Sequence, residues 1–211
     1  YLVAMALRDL AANFKEVKFI GVVGNHARFE QKPVFKEKYN NGDYLIYKIV
    51  ESLLSHQSNI EFIIPKSPWH IQAIQDQVFY FSHADNIQGG STGLWNSAQK
   101  YITPMAQVLV RQGLPYPKYF CFGGFHTFNT AQLSYGEVLF CGSTKGACDY
   151  SLGRIQAGAA ATQLFFGVNR DEGITFHYPV YLENADLKVF NRYQSVAQPD
   201  WIANPKELNN G

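Results

Sequence analysis

Gly21-Val22-Val23-Gly24-Asn25-His26-Ala27-Arg28 is the stretch on which the reading of this chain turns. An apolar run ends in a glycine, and an amide, an imidazole and a guanidinium follow at once. Val17 to Val23 is rich in β-branched residues and bounded by Gly24, which predicts a buried strand turning at an edge of a sheet. Asn25 and His26 then project beyond the carboxyl end of that strand, where α/β sheets place their ligands. Taken alone, the stretch also reads as a Gly-Asn turn with a surface histidine, because short motifs are weakly specific.

Two more strand ends repeat the pattern. Gln77 to Phe81 predicts a strand that delivers Ser82-His83-Ala84-Asp85-Asn86, and Tyr119 to Phe122 predicts one that delivers Gly123-Gly124-Phe125-His126-Thr127. A single histidine in such a place is usually a hydrogen-bonded structural residue, and His56, His70 and His177 are read that way. Three polar clusters at strand ends beside glycines point instead to a shared site. Imidazole nitrogens and an amide oxygen are ligands for divalent ions, and a rigid sheet builds a site by bringing such groups together from separate strands.

The intervening segments predict an alternation of helices and strands. Leu2, Ala6, Leu7, Leu10 and Phe14 form an apolar helical stripe that starts with no capping residue before it. Asp43 is expected to cap a helix over Tyr44 to His56, with Leu45, Ile49 and Leu53, flanked by Ile46 and Val50, packing on the sheet. Ile60 to Ile64 and Trp69 to Ile74 predict strands. Leu94 to Tyr101 predicts one helical segment, and Thr103-Pro104 starts another that runs to Arg111 and stops at Gly113. Glu137 to Cys141, Gln163 to Val168 and Ile174 to Tyr181 predict closing strands, with Asn169 to Gly173 as a hairpin turn. Lys32, Lys36 and Lys38 give a basic loop, a solvated segment that could also meet a phosphate backbone.

Composition narrows the class. With 211 residues, 46% hydrophobic and 15% aromatic, the chain can bury one substantial core. A net charge of +1 argues against a nucleic-acid binder acting through bulk charge, while leaving room for a local basic patch. Cys121, Cys141 and Cys148 lack C-x-x-C spacing, so neither a disulfide framework nor a cysteine zinc site is indicated, and reduced, buried thiols suit a cytoplasmic protein. No apolar run reaches the roughly 18 residues of a membrane span, and no membrane association is expected.

At this point the chain resembles the calcineurin-like metallophosphoesterases, whose later motifs are G-N-H-D/E, then G-H or S-H-G-D, then G-H-x-H. Gly24-Asn25-His26-Ala27-Arg28, Asn40-Asn41-Gly42-Asp43-Tyr44-Leu45-Ile46-Tyr47, Ser82-His83-Ala84-Asp85 and Gly142-Ser143-Thr144-Lys145-Gly146 are similar to the phage and prophage branch. The resemblance spans roughly Leu2 to Tyr181. It implies an α/β (α+β) fold, a two-sheet sandwich flanked by helices, with an incomplete phosphoesterase domain over 1–184 and a tail over 185–211. It also implies a dinuclear metal centre that activates water for attack on phosphorus. Manganese is the first choice of ion, with iron, zinc, nickel or magnesium as alternatives, two per complete site. The substrate would be a phosphoester, DNA or RNA among the candidates.

The resemblance also distributes roles. Asn25 and His83 would hold the second metal and His126 the first. His26 would stand beside the scissile phosphate and serve the leaving oxygen, while Arg28 and Asp85 would orient phosphate or support the ligands. Two departures stand out. The family's opening D-x-H and G-D-x-x-D motifs do not precede Gly24, so the sequence is expected to open inside the helix that follows them, with the N-terminal part of the domain missing. Gly124 occupies the place of the first histidine of G-H-x-H, and Gly124→His is expected to restore a ligand provided the loop from Gly123 to Thr127 tolerates the side chain. Ala84 stands where that branch usually has glycine. These departures give the alternative reading, a catalytically weak phosphoesterase fold acting as a nucleic-acid-binding or structural module.

Overall fold

The computed structural model describes residues 1–30, 39–85, 87, 94–146 and 160–182. The elements in chain order are α1 (Leu2–Asn13), β1 (Val17–Ile20), α2 (Gly42–Leu53), β2 (Ile60–Ile63), β3 (Trp69–Ile74), β4 (Gln77–Ser82), α3 (Leu94–Arg111), β5 (Tyr119–Phe122), β6 (Asn129–Leu133), β7 (Gly136–Phe140), β8 (Thr162–Asn169) and β9 (Gly173–Tyr181). This is a mixed α+β architecture with a five-stranded sheet at its centre.

That sheet has the order β3-β4-β5-β7-β6. Its inner strands β4, β5 and β7 are parallel, and the antiparallel β3 and β6 form its edges. All four residues of β5, Tyr-Phe-Cys-Phe, are buried, as expected of a parallel strand covered on both faces. On one face Tyr80, Phe120, Phe122, Val138 and Phe140 pack against Ala98, Ile102, Ala106 and Leu109, which recur at helical spacing along α3. On the other, Phe79, Tyr119, Cys121 and Leu139 meet Leu164, Phe166, Val168 and Ile174 of the β8–β9 hairpin. Phe79 stacks between layers, its ring 4.6 Å from that of Tyr119 and 5.8 Å from that of Phe166. The five-stranded sheet and the hairpin are thus the two leaves of a sandwich flanked by a helix.

β1 and β2 make a separate parallel pair, registered Val17 to Ile60 through Ile20 to Ile63. One face of it carries α1 and α2, through Ala4, Leu7, Val50 and Leu54 packed on Val17, Phe19, Ile60 and Phe62. Here the helical stripes differ from expectation. Of the apolar residues expected to pack, only Leu7 and Val50 are buried; Leu2, Leu10, Phe14, Leu45, Ile46, Ile49 and Leu53 are exposed. Two strands offer a narrow platform, so among the described residues each helix buries a single row.

Three other differences have local causes. The cap of α2 is Asn41, whose side-chain oxygen accepts from the Asp43 amide at 2.7 Å, so the helix begins before Asp43. α3 is one helix with Pro104 inside it, in place of two segments. The missing proline N–H leaves the Lys100 carbonyl without its helical donor, and Lys100 is exposed, where solvent can serve that carbonyl. The end at Gly113 is as read: its φ is +76°, and Leu114 N donates to Leu109 O at 3.0 Å, closing the helix in a left-handed turn. Finally, β6 is an edge strand of composition Asn-Thr-Ala-Gln-Leu, too polar to announce itself by pattern.

Cys121 is buried and Cys141 partly so, both free, and burial pushes both thiols above their ordinary value. No helix among the described residues is long and apolar enough to cross a membrane. Cys148 and the tail expected from 185 lie outside the described residues.

Candidate functional site

Parallel pairing sends the carboxyl ends of β4 and β5 to one edge of the five-stranded sheet. Gly123 N donates to Ser82 O at 3.2 Å and Gly124 N to His83 O at 2.7 Å, which ties the two strand ends together beyond their last paired residues. The chain leaving β1 reaches the same place from the other sheet. Gly21 N still donates to Ile63 O at 2.9 Å, Val23 and Gly24 are buried, and Asn25 then meets His83: its Oδ1 lies 3.0 Å from His83 Nε2. The amide oxygen can only accept, so in this pairing the ring nitrogen carries the proton. The site therefore joins two sheets, where the sequence suggested three strand ends of one sandwich.

His26 follows Asn25 and His126 follows Gly124 by one further turn of the loop, and these two rings face each other with centroids 5.7 Å apart at 32°. Partial burial, and secondarily the neighbouring His26, lower the basicity of His126. His126 has a φ of +56° and Ala84 of +68°, two non-glycine residues in the left-handed region within one site. Ala84 is held there by its amide donating to Ser82 Oγ at 3.1 Å, while that hydroxyl donates to Pro68 O at 3.2 Å. A preference for glycine at this position follows from the same backbone angle.

Glycines make the room for His83. A Cβ on Gly24 would stand 3.2 Å from His83 Cε1 and 3.3 Å from both His83 Nδ1 and Asp43 Oδ2. One on Gly124 would stand 2.6 Å from His83 O and 3.0 Å from His83 Nε2. The expectation that Gly124→His could simply restore a ligand therefore meets an obstacle: the position is filled by the backbone and ring of His83.

Sequence reasoning overlooked the groups that hold Asn25 and His26 in place. They come from the start of α2. Asn41, 3% exposed, donates from Nδ2 to Gly24 O at 2.8 Å; Gly24 N donates to Asp43 Oδ2 at 2.9 Å; Gly42 N donates to Ala27 O at 2.7 Å. Tyr47 Oη donates to Val22 O at 3.3 Å, and burial, with Asp43 nearby, raises its pKa to about 12, so it remains a donor at neutral pH. Asn41-Gly42-Asp43 carried a visible helix-start signal, but nothing local revealed that its side chains reach back to Gly24.

Arg28 is half-buried and pairs through its backbone with Asn41. Asp85 is half-buried two residues beyond His83. Lys32, Lys36 and Lys38 lie outside the described residues. Of the histidines read as structural, His70 Nε2 lies 3.3 Å from Gln72 Oε1 and His177 Nε2 lies 2.8 Å from Glu137 Oε1.

The donor set suits a metal in part. With metal–ligand bonds of about 2.1 Å, two donors at adjacent positions of one ion stand about 3 Å apart, which is the separation of Asn25 Oδ1 and His83 Nε2. Among the described residues, however, no three His, Cys, Asp or Glu side chains are grouped as a metal set.

The described residues thus define a mixed α+β protein with a polar, histidine-bearing site at the meeting edges of two sheets. No protein-family model and no curated protein matches the chain. Among solved structures it is similar to a double mutant of Vps29 from Entamoeba histolytica, at 12% identity over 79% of this chain and 97% of that one, with a TM-score of 0.41. A Thermotoga maritima protein, TM1076, aligns at 10% identity over 83% of this chain and 86% of its own, with a TM-score of 0.40. Wild-type Vps29 from Entamoeba histolytica complexed with zinc aligns at 13% identity over 78% and 96%, with a TM-score of 0.39.

Proposed function

We propose that the chain is a metal-dependent phosphoesterase of the calcineurin-like kind, acting on a phosphodiester such as a nucleic-acid backbone. The observation that carries the reading is the 3.0 Å approach of Asn25 Oδ1 to His83 Nε2, with the tilted pair of His26 and His126 rings on the loops that leave the same strand ends. Asn25 and His83 would hold one divalent ion, manganese first, and His126 would serve a second. A bound ion would neutralise charge on phosphoryl oxygens and lower the pKa of water. His26 is exposed to an incoming substrate, and its imidazole can pass a proton to the leaving oxygen. The Arg28 guanidinium can pair with a phosphoryl oxygen, and its fork geometry favours such oxyanions. Asp85 and Gly124 act behind the donors, Gly124 by leaving space for the His83 ring.

The test is titration of manganese into the purified chain, with hydrolysis of bis-p-nitrophenyl phosphate as the activity readout. Manganese binding that disappears in His83→Ala supports the reading, and no binding in the unaltered chain overturns it. A second reading, a binding or structural module on the same fold, draws support from the absence of a three-residue metal set among the described residues. It would be favoured by oligonucleotide binding that needs no manganese and survives His83→Ala.

A further inference from the structure

We infer that Asn41 and Asp43 are positioning residues for the Asn25–His83 pair, a clamp on the strand end that carries the candidate metal donors. The inference rests on the metal reading above for its functional consequence, and on hydrogen bonds alone for its geometry. Gly24 is the last residue before Asn25, and both of its backbone groups are held by side chains of one short segment. The Asn41 amide takes its carbonyl at 2.8 Å, and the Asp43 carboxylate takes its N–H at 2.9 Å. The two clamping residues are themselves linked, Asp43 N donating to Asn41 Oδ1 at 2.7 Å. Asn41 is thereby used at both ends of its amide. Its oxygen caps α2, and its nitrogen fixes Gly24.

This arrangement fixes more than position along the chain. With Gly24 N and O both engaged, the peptide planes on either side of it lose their freedom to rotate, and the direction in which the Asn25 side chain leaves the backbone is set. The Gly42 amide holds Ala27 O on the far side of the Asn25-His26 turn at 2.7 Å, so the turn is gripped at both ends by consecutive residues. The close approach is available because position 42 lacks a side chain; a Cβ there would stand 3.2 Å from Ala27 O. Asp43 Oδ2 and the His83 ring both border the space beside Gly24. Groups that orient metal donors from behind commonly carry tenfold to hundredfold effects on metal affinity.

A capping role and a clamping role separate by substitution. Asn41→Asp keeps an oxygen that caps a helix as well as asparagine does, but removes the donor to Gly24 O. Asn41→Ser also keeps a capping oxygen and adds no charge, and its shorter side chain lacks the amide nitrogen that donates to Gly24 O, should the aspartate variant fail to fold. Asp43→Asn keeps an acceptor for Gly24 N, and Asp43→Ala does not. The full chain is compared in two measurements: the His83 Nε2–H signal by NMR without metal, and manganese affinity by calorimetry. The clamp predicts loss or broadening of the His83 signal and a roughly 10–100-fold weaker manganese affinity in Asn41→Asp and Asp43→Ala, with α2 helicity retained in Asn41→Asp and near-native behaviour in Asp43→Asn. An unchanged His83 signal with unchanged affinity in Asn41→Asp would overturn the inference and leave Asn41 a cap alone. Loss of the His83 signal in a protein that binds no manganese in any form would support the clamp while overturning the metal reading.

Discussion

Gly123 and Gly124 are adjacent, yet alanine should have opposite consequences at the two. Neither has a positive φ among the described glycines that do, so backbone conformation does not distinguish them. Space does. A Cβ on Gly123 meets only His83 Nδ1 at 3.8 Å, an ordinary contact, whereas on Gly124 it meets His83 O at 2.6 Å, Nε2 at 3.0 Å and Cδ2 at 3.1 Å. The first of these is a backbone atom that accepts the Gly124 amide at 2.7 Å, so it cannot retreat without breaking that bond. Overpacking costs about 1–3 kcal/mol, and the strained hydrogen bond about 0.5–1.5 kcal/mol more. Gly124→Ala should therefore destabilise by about 1.5–4.5 kcal/mol, which lowers Tm by roughly 3–18 °C for a chain of this size. Gly123→Ala should be neutral or stabilise by up to about 1 kcal/mol through the unfolded state. Thermal denaturation of both variants checks the pair, with the His83 imidazole resonances as a local report. Equal Tm values for the two variants would refute the reasoning, since they would show that the His83 backbone moves freely away from position 124.

Where turnover is measurable, His26→Gln should lower kcat by roughly 10²–10⁴-fold, the usual worth of general acid help, with little change in manganese affinity. Asn25→Ala should weaken affinity and rate together, and calorimetry beside bis-p-nitrophenyl phosphate assays separates the two. Burial raises the Glu137 carboxyl above its ordinary value despite His177, whose nitrogen is close but not aligned for a hydrogen bond. The folded state thus holds this proton more tightly than the unfolded one, so its stabilising contribution is full below about pH 4.3 and is lost as pH rises through the raised value. Across that interval wild type should fall below Glu137→Gln in denaturation midpoint as pH rises; a wild-type advantage that grows with pH would mean that His177 outweighs burial. Phe79→Ala removes a fully buried ring stacked between the sandwich leaves and should cost about 3–5 kcal/mol by urea denaturation.

The strands were legible where burial on both faces made them continuous and apolar. Tyr119 to Phe122 and Phe79 to Phe81 announce themselves because their side chains alternate between the apolar clusters on the two faces of the sheet. β6 did not, since an edge strand with three polar residues carries no such requirement. The helices were legible as helices but not in their buried face. Periodicity reports that an apolar stripe exists, and the width of the surface it meets decides how much of it is covered. On the two-stranded β1–β2 platform that is Ala4 and Leu7 from α1 and Val50 and Leu54 from α2, while Leu45, Ile49 and Leu53 stay exposed.

The site divides along the same line between local and long-range information. Asn25, His26 and His126 could be singled out because each follows a strand and a glycine in sequence, and His83 because it follows a strand through Ser82; parallel pairing of β4 with β5 then obliges two of those ends to meet. Asn41 and Asp43 could be read only as a helix start, because their second partners lie 17 and 19 residues back in the chain. The same holds for the glycines. A glycine at a strand end suggests a turn, but at Gly24 and Gly124 the missing Cβ is required by the ring of His83, which arrives from another strand. What the local pattern identifies is the set of groups able to do chemistry; what fixes their directions is a second set of ordinary capping and turn residues used twice, once for their own helix and once for the strand end beside it.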